Sequence, residues 1–219
     1  MDILLRIIIM GMPILLAITL HEAAHGYAAL RFGDNTAKLM GRISLNPLRH
    51  VDLFGTLLLP GILLLIGSPV LFGYAKPVPV NFDRLHNPRR DSIFVAGAGP
   101  ATNLLLAYIS ALFFHLLVFS PPDISPLFQE MLTVSLWINV TLAVFNMIPL
   151  PPLDGGRVVV GLLPDFLALP LSRLEPYGIL VIFGFLLIPP LFGINVLSWL
   201  ILHPIKIIIE FISLLAGLS

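Results

Sequence analysis

Cysteine is absent from this chain. Disulfides and thiolate metal ligands are thereby excluded, and any metal site must be built from histidine and carboxylate. Charge is scarce as well: 11% of residues are Asp, Glu, Lys or Arg, against roughly a quarter in a soluble domain. Basic and acidic side chains balance to a net charge of +0, which argues against a nucleic-acid partner. No internal repeat, no low-complexity tail and no stretch polar enough for an added soluble domain occurs in the 219 residues. The N-terminal apolar run has no small-residue cleavage site, so it does not read as a secretory signal.

Apolar residues are what the chain has in quantity. They make up 58% of it, and its mean hydropathy is +1.00. This is the composition of an integral membrane protein, and its length allows about five or six spans at ~20 residues each. The expected fold is an all-α polytopic membrane protein, a bundle of about five or six transmembrane helices with a re-entrant hairpin and short surface β-strands. The 20 prolines imply broken helices, which membranes tolerate where protein or trapped water meets the freed backbone groups.

Within the first apolar run stands Thr19-Leu20-His21-Glu22-Ala23-Ala24-His25-Gly26. Residues four apart share one face of a helix, so His21 and His25 can grip one metal ion. Glu22 lies beside that face, where it can take a proton from an attacking water, as in zinc hydrolases. A bland reading, a polar kink in a buried helix, leaves the cost of three ionisable groups in an apolar run unexplained.

The first span covers Ile3 to about Phe32. Arg31, Lys38, Arg42 and Arg49 then place the following loop in the cytoplasm. Thr36 to Asn46 alternates polar and apolar residues and predicts one or two short strands. Leu53 to Ala75 is apolar but broken by Pro60-Gly61 and Pro69, with basic residues on both flanks. A re-entrant hairpin is favoured there over a plain span. Gly73 to Asn81 is extended by its prolines. Ser92 to Phe119 is the next span, with Gly97 and Gly99-Pro100 for close helix contact and Asn103 to bond across it. Ser120 to Pro126 has no Lys or Arg and belongs outside, and Leu127 to Phe145 returns inward.

A second unusual stretch follows, Asn146-Met147-Ile148-Pro149-Leu150-Pro151-Pro152-Leu153-Asp154-Gly155-Gly156-Arg157. Its prolines predict an extended segment at membrane depth, burying backbone in protein or lining a wet cavity. Gly155-Gly156 allows a close turn, and Val158 restarts a helix. Asp154 alone could be a helix-capping residue. Beside His21 and His25 it completes a two-His, one-carboxylate set with a fourth position for water. Beyond Leu163, Pro164 to Pro176 reads as interfacial, and Tyr177 to Ile188 and Ile194 to Leu218 as one or two further spans. Residues 1–163 thus form a catalytic membrane core and 164–219 a C-terminal addition. His50 and His86 read as solvated loop residues, His115 lies too near the outer end of its span to join the site, and His203 reads as a packing or interface residue. Trp137 and Trp199 suit lipid contact or packing rather than a cofactor role.

These pieces resemble the site-2 protease family of intramembrane zinc metalloproteases. His21 through His25, Gly99-Pro100-Ala101-Thr102-Asn103 and Asn146 through Gly156 carry the resemblance, in that order, across most of residues 3 to 160. It implies zinc (Zn2+) held by His21, His25 and Asp154, with Glu22 as the catalytic acid/base. It also implies that Asn146 helps hold substrate or the oxyanion, with a lesser carry-over to Asn103, which can equally tie helices together. No PDZ domain and no CBS pair lie within the sequence, so substrate filtering and nucleotide regulation have no visible module. The expected function is zinc-dependent hydrolysis of peptide bonds within or near transmembrane segments. The expected partners are a transmembrane protein substrate and the lipid bilayer, with no nucleic acid, and the oligomeric state is left open. The expected location is a prokaryotic plasma membrane, crossed several times, with the active site nearer the cytoplasmic side. The rival readings are a membrane zinc or ion transporter, which would not need Glu22, and an inactive binding relative, which would have lost Glu22 or a ligand.

Overall fold

The structure is a computed structural model and describes residues 3–58, 61, 62, 65, 76–178, 180–182, 184 and 198–218. Its elements in chain order are α1 (Ile3–Arg31), a short α2 (Thr36–Leu39), α3 (Pro88–Phe113), α4 (Ser125–Asn146), α5 (Asp154–Leu162), α6 (Asp165–Ser172) and α7 (His203–Leu215). A tight turn over Phe114–Phe119 prolongs α3. Among the described residues, three helices are long and apolar enough to cross a membrane: Ile8–Arg31, Pro88–Phe119 and Ser125–Asn146. They correspond to the three full spans read from the sequence. The third begins at Ser125 with Pro126 in its first turn, two residues before Leu127, and α3 begins four residues before Ser92. Pro88 at its first turn needs no hydrogen-bonded N–H, and buried Asp91 accepts from the Asn87 N–H at 2.7 Å.

The expected surface strands are not formed: the described residues contain no β-strand. Where Thr36 to Asn46 alternates, the chain instead makes one helical turn, α2, and reverses at Gly41 with φ +62°. Asp34 starts that turn by accepting from the Thr36 N–H at 2.9 Å and its hydroxyl at 2.5 Å. Alternation alone cannot make a strand when no neighbouring strand completes its ladder. Residues 76–81 likewise carry no regular structure. The hairpin expected over Leu53 to Ala75 falls largely outside the described residues, as do half of Tyr177 to Ile188 and the start of Ile194 to Leu218. Pro164 to Pro176 forms α6 and a tight turn beginning at Glu175.

The three long helices pack on one another through small residues. Ala17, Ala23 and Ala29 on α1 and Ala107 and Ala111 on α3 are all essentially fully buried. In lipid no hydrophobic drive separates a helix contact from a tail contact, so close backbone approach and interhelical hydrogen bonds decide packing. Leu136 and Val140 of α4 and Ile205 and Ile212 of α7 join Ala107 and Ala111 in one buried apolar cluster. His115 donates through Nε2 to Ala216 O at 2.7 Å, tying the end of α3 to the end of α7. Trp137 and Trp199 are exposed on the outer surface, as lipid-facing residues should be. His50 departs from its expected solvation: it is 2% exposed, and its Nε2 bonds Ser44 O at 2.8 Å.

Candidate metal centre

Helix geometry brings the first two candidate ligands together. His21 and His25 sit one turn apart on α1, both buried, with their Nε2 atoms 3.1 Å apart. Asp154 comes from a different part of the chain. After Asn146 ends α4, residues 147–153 form a compact reversal rather than an extended run, held by Ile148 N–H to Phe145 O and Leu153 N–H to Leu150 O. Helix α5 starts at Asp154 itself, four residues earlier than the expected restart at Val158. The prolines at 149, 151 and 152 forbid helix only up to that point. A carboxylate in the first turn is favoured by the helix dipole.

Gly155 and Gly156 work differently from the turn expected of them. They lie inside the first turn of α5, against the reversal. A Cβ on Gly155 would sit 2.3 Å from Met147 O, and one on Gly156 2.1 Å from Pro151 N. Only glycine lets the reversal lie directly on the helix. The result is that Asp154 Oδ2 stands 3.3 Å from both His21 Nε2 and His25 Nε2.

The far side of each imidazole fixes what the near side offers. His25 Nδ1 lies 2.7 Å from Val95 O. A carbonyl can only accept, so the proton is on Nδ1 and the Nε2 lone pair faces inward. His21 Nδ1 lies 2.6 Å from Asn103 Oδ1. The Asn103 amide nitrogen donates to Ala17 O at 3.2 Å and Asn139 Oδ1 at 2.8 Å, so its oxygen accepts from His21. Both Nε2 atoms therefore present lone pairs, and they are not hydrogen-bonded to each other. A buried carboxylate oxygen, Asp154 Oδ2, joins them and has no hydrogen-bond donor of its own.

Three electron-rich atoms thus converge with no proton between them, an arrangement that only a cation relieves. The donor set suits zinc: two neutral imidazoles oriented from behind and one carboxylate. The 3.1–3.3 Å triangle matches the ~3.3 Å expected between ligand atoms spread tetrahedrally about one ion. Gly99 shapes the flank. A Cβ there would lie 2.5 Å from His25 Nε2 and 2.7 Å from His21 Nε2. Gly97, expected to serve close contact too, faces open space. Among the described residues, this is the one group of three His, Asp or Glu side chains able to hold an ion.

The group opens into a cavity of about 260 Å³. Glu22 lines it beside His21, His25 and Asp154, together with Val78, Val80, Phe82, Asn146, Pro152 and Arg157. Glu22 Oε2 accepts from the Val78 N–H at 2.7 Å. Asn146 spends one amide hydrogen on Leu142 O at 3.0 Å. Arg157 pairs with Glu175 at 2.5 Å and lies 4.5 Å over the Phe82 ring, linking α5, the 175–177 turn and the loop before α3. Asn103 is fully buried and is not among the residues lining the cavity. The main-chain partners, Val95 O and Val78 N–H, have no sequence signature. Asn139, which completes the Asn103 bonding, could have been suspected as a polar residue one turn from Ser135 in an apolar helix.

Comparison with known proteins bears on this geometry. The family model described as peptidase family M50 matches residues 9–129 and 123–189. The chain is 40% identical to the candidate zinc metalloprotease YwhC of Bacillus subtilis over 182 residues, 81% of this chain and 79% of that one. It is 30% identical to the candidate zinc metalloprotease Rip2 of Mycolicibacterium smegmatis over 179 residues, 81% of this chain and 66% of that one. A 65-residue stretch is 40% identical to the candidate zinc metalloprotease MJ0611 of Methanocaldococcus jannaschii, covering 30% of this chain and 31% of that one. No solved structure matches the chain.

Proposed function

We propose a division of labour among the residues of a chain that belongs to peptidase family M50, the site-2 proteases, and is therefore a zinc-dependent endopeptidase of the membrane. His21, His25 and Asp154 are read as the zinc ligands, Glu22 as the acid/base, Asn146 as an oxyanion donor and Asn103 as the residue that orients His21. The observation that carries the reading is the convergence of two Nε2 lone pairs and an undonated carboxylate oxygen beside Glu22.

Zinc, when bound there, supplies a Lewis acid and a nucleophile from water at neutral pH. The chain's own groups do the rest. Glu22 has one oxygen committed to the Val78 N–H, leaving Oε1 to accept the attacking water's proton and return it to the leaving amine. Asn146 keeps a second amide hydrogen for the developing oxyanion. Asn103 and Val95 O hold the imidazoles in one tautomer.

The substrate is a membrane protein. His21 lies ten residues before Arg31, about 15 Å along the helix by its rise. With Arg31, Lys38, Arg42 and Arg49 on the cytoplasmic side, the cut falls at membrane depth, nearer that side. A helical substrate must open a turn there, exposing backbone groups that cost several kcal/mol each in lipid. Cleavage should therefore favour single-span proteins with Gly, Pro or Asn near the cut. Residues 1–163 are read as the catalytic core, since all the cavity-lining residues lie within it, and 164–219 as a packed addition. The setting is a prokaryotic plasma membrane, and nucleic acid has no part.

Metal transport is the weaker reading. Among the described residues no second His/carboxylate cluster offers an ion somewhere to go. The test is turnover of a model single-span substrate by wild type and Glu22→Gln, with zinc measured in both. The variant should keep about one zinc per chain and lose at least ~10²-fold in rate, the low end for general acid–base catalysis. Near-normal turnover would remove Glu22 from the chemistry.

A further inference from the structure

Arg42 grips the cavity wall from behind. Its side chain is half-buried, and its guanidinium reaches carbonyls on two separate loop segments. Nη1 donates to Arg49 O, and Nη2 donates to Lys76 O at 2.9 Å and Pro77 O at 3.2 Å. The Pro77 carbonyl and the Val78 N–H are the two ends of one planar peptide unit. That N–H is the donor to Glu22 Oε2. A cation therefore holds the oxygen end of the same peptide whose nitrogen end holds the carboxylate.

Two features make this grip specific. Bonds to ionised groups are about twice as strong as neutral ones, and a peptide polarised at one end donates better at the other. The peptide plane also cannot rotate to release Glu22 without breaking both bonds. The surroundings press the segment into place. Lys76 N–H donates to His50 O at 2.9 Å. Ile43 and Val78 both lie against Gly26, where an added Cβ would meet each at 3.1 Å. Asn81 N–H donates to Asp34 Oδ2 at 2.7 Å, anchoring the far end.

We propose that Arg42 is a positioning residue for the acid/base. Through the Pro77–Val78 peptide it occupies Glu22 Oε2 and leaves Oε1 aimed at the reacting water. The proposal rests on the reading of Glu22 as acid/base. Arginine is required because its planar fork spans several carbonyls, whereas a lysine ammonium is a single point of contact.

The test is a double-substitution cycle on full-length zinc-loaded enzyme with a model single-span substrate. Arg42→Gln should keep the zinc content and KM while kcat falls about 10-fold or more, as small misplacements of a reacting group do. Arg42→Lys should recover part of the loss. In the Glu22→Gln background, adding Arg42→Gln should cost almost nothing further, because the group it positions is already gone. If the two losses multiply, or if KM rises with kcat intact, Arg42 merely folds the loop and the proposal falls. Should Arg42→Gln not fold, the same cycle is read from Arg42→Lys, by the same two outcomes. Full activity of Glu22→Gln alone would overturn the acid/base reading instead, and is told apart by that single variant.

Discussion

The cavity has two walls built on different principles. One is helical: α1 and α3 carry His21, His25 and Gly99, and every polar group behind the imidazoles is paired within the bundle. The other is irregular: residues 76–82 have almost no regular structure and are pinned by side chains, Arg42, Glu22 and Asp34. The helical wall carries the two imidazoles, and the irregular wall donates the Val78 N–H to Glu22. Imidazole geometry is thus set where the backbone satisfies itself, and the geometry of Glu22 where charged groups satisfy the backbone. Damage to the first should remove zinc. Damage to the second should spare zinc and slow the chemistry.

Asp154→Ala should give the largest effect. It leaves two neutral imidazoles without their anionic partner, so both bound zinc and proteolysis should drop to background. Metal analysis of purified protein checks this, and one zinc per chain in the variant would exclude Asp154 as a ligand. Gly99→Ala tests the helical wall directly. Its methyl would intrude to 2.5 Å from His25 Nε2, and overpacking typically costs about 1–3 kcal/mol. Zinc should be lost and the unfolding temperature lowered together. The same exchange at Gly97, which faces open space, should be silent in both measurements.

Asn103→Ala should weaken zinc about 10- to 100-fold, the usual effect of removing a ligand's hydrogen-bond partner. Its cost in stability should be modest, since hydrogen bonds between membrane helices average about 0.6 kcal/mol. A chelator titration separates the two. An unchanged zinc affinity would mean that His21 needs no orienting group.

The smallest effect belongs to the irregular wall and depends on pH. Burial by itself would raise the Asp34 pKa. The Thr36 hydroxyl, the Asn81 and Thr36 amides and the Arg84 charge more than offset this and hold it below its ordinary 3.8. A depressed carboxylate stabilises the fold above its unfolded pKa, and that contribution is lost as pH falls through the folded value. Wild type should therefore lose more thermal stability than Asp34→Asn on acidification from neutral pH to below about 4. At neutral pH the variant should be the less stable, with its zinc retained. Parallel acid profiles would show that Asp34 contributes nothing through its charge.

Much of the helical wall was legible beforehand. Periodicity put His21 and His25 on one face of α1, and the three long apolar runs became the three long helices. Of the irregular wall little was legible. The alternation over Thr36 to Asn46 suggested strands, yet with no partner edge among the described residues the chain coiled into α2 and turned at Gly41. The proline run before Asp154 suggested extension, yet Gly155 and Gly156 let it fold back on α5. His50 stood in a basic loop and suggested solvent, yet Ser44 O satisfies it in a buried position.

By itself the sequence determined that the chain is apolar enough for a membrane protein and that His21 and His25 share one helix face. These follow from composition and from a 3.6-residue period, which are local properties. Only the tertiary structure decided which nitrogen of each histidine faces Asp154, which oxygen of Glu22 accepts the Val78 N–H, and how closely α3 approaches the imidazoles. Those depend on Asn103 and Val95 O, on the Val78 N–H, and on the missing side chain of Gly99. Two of these partners are main-chain groups, which every residue carries alike, so only folding can select the ones that meet the site.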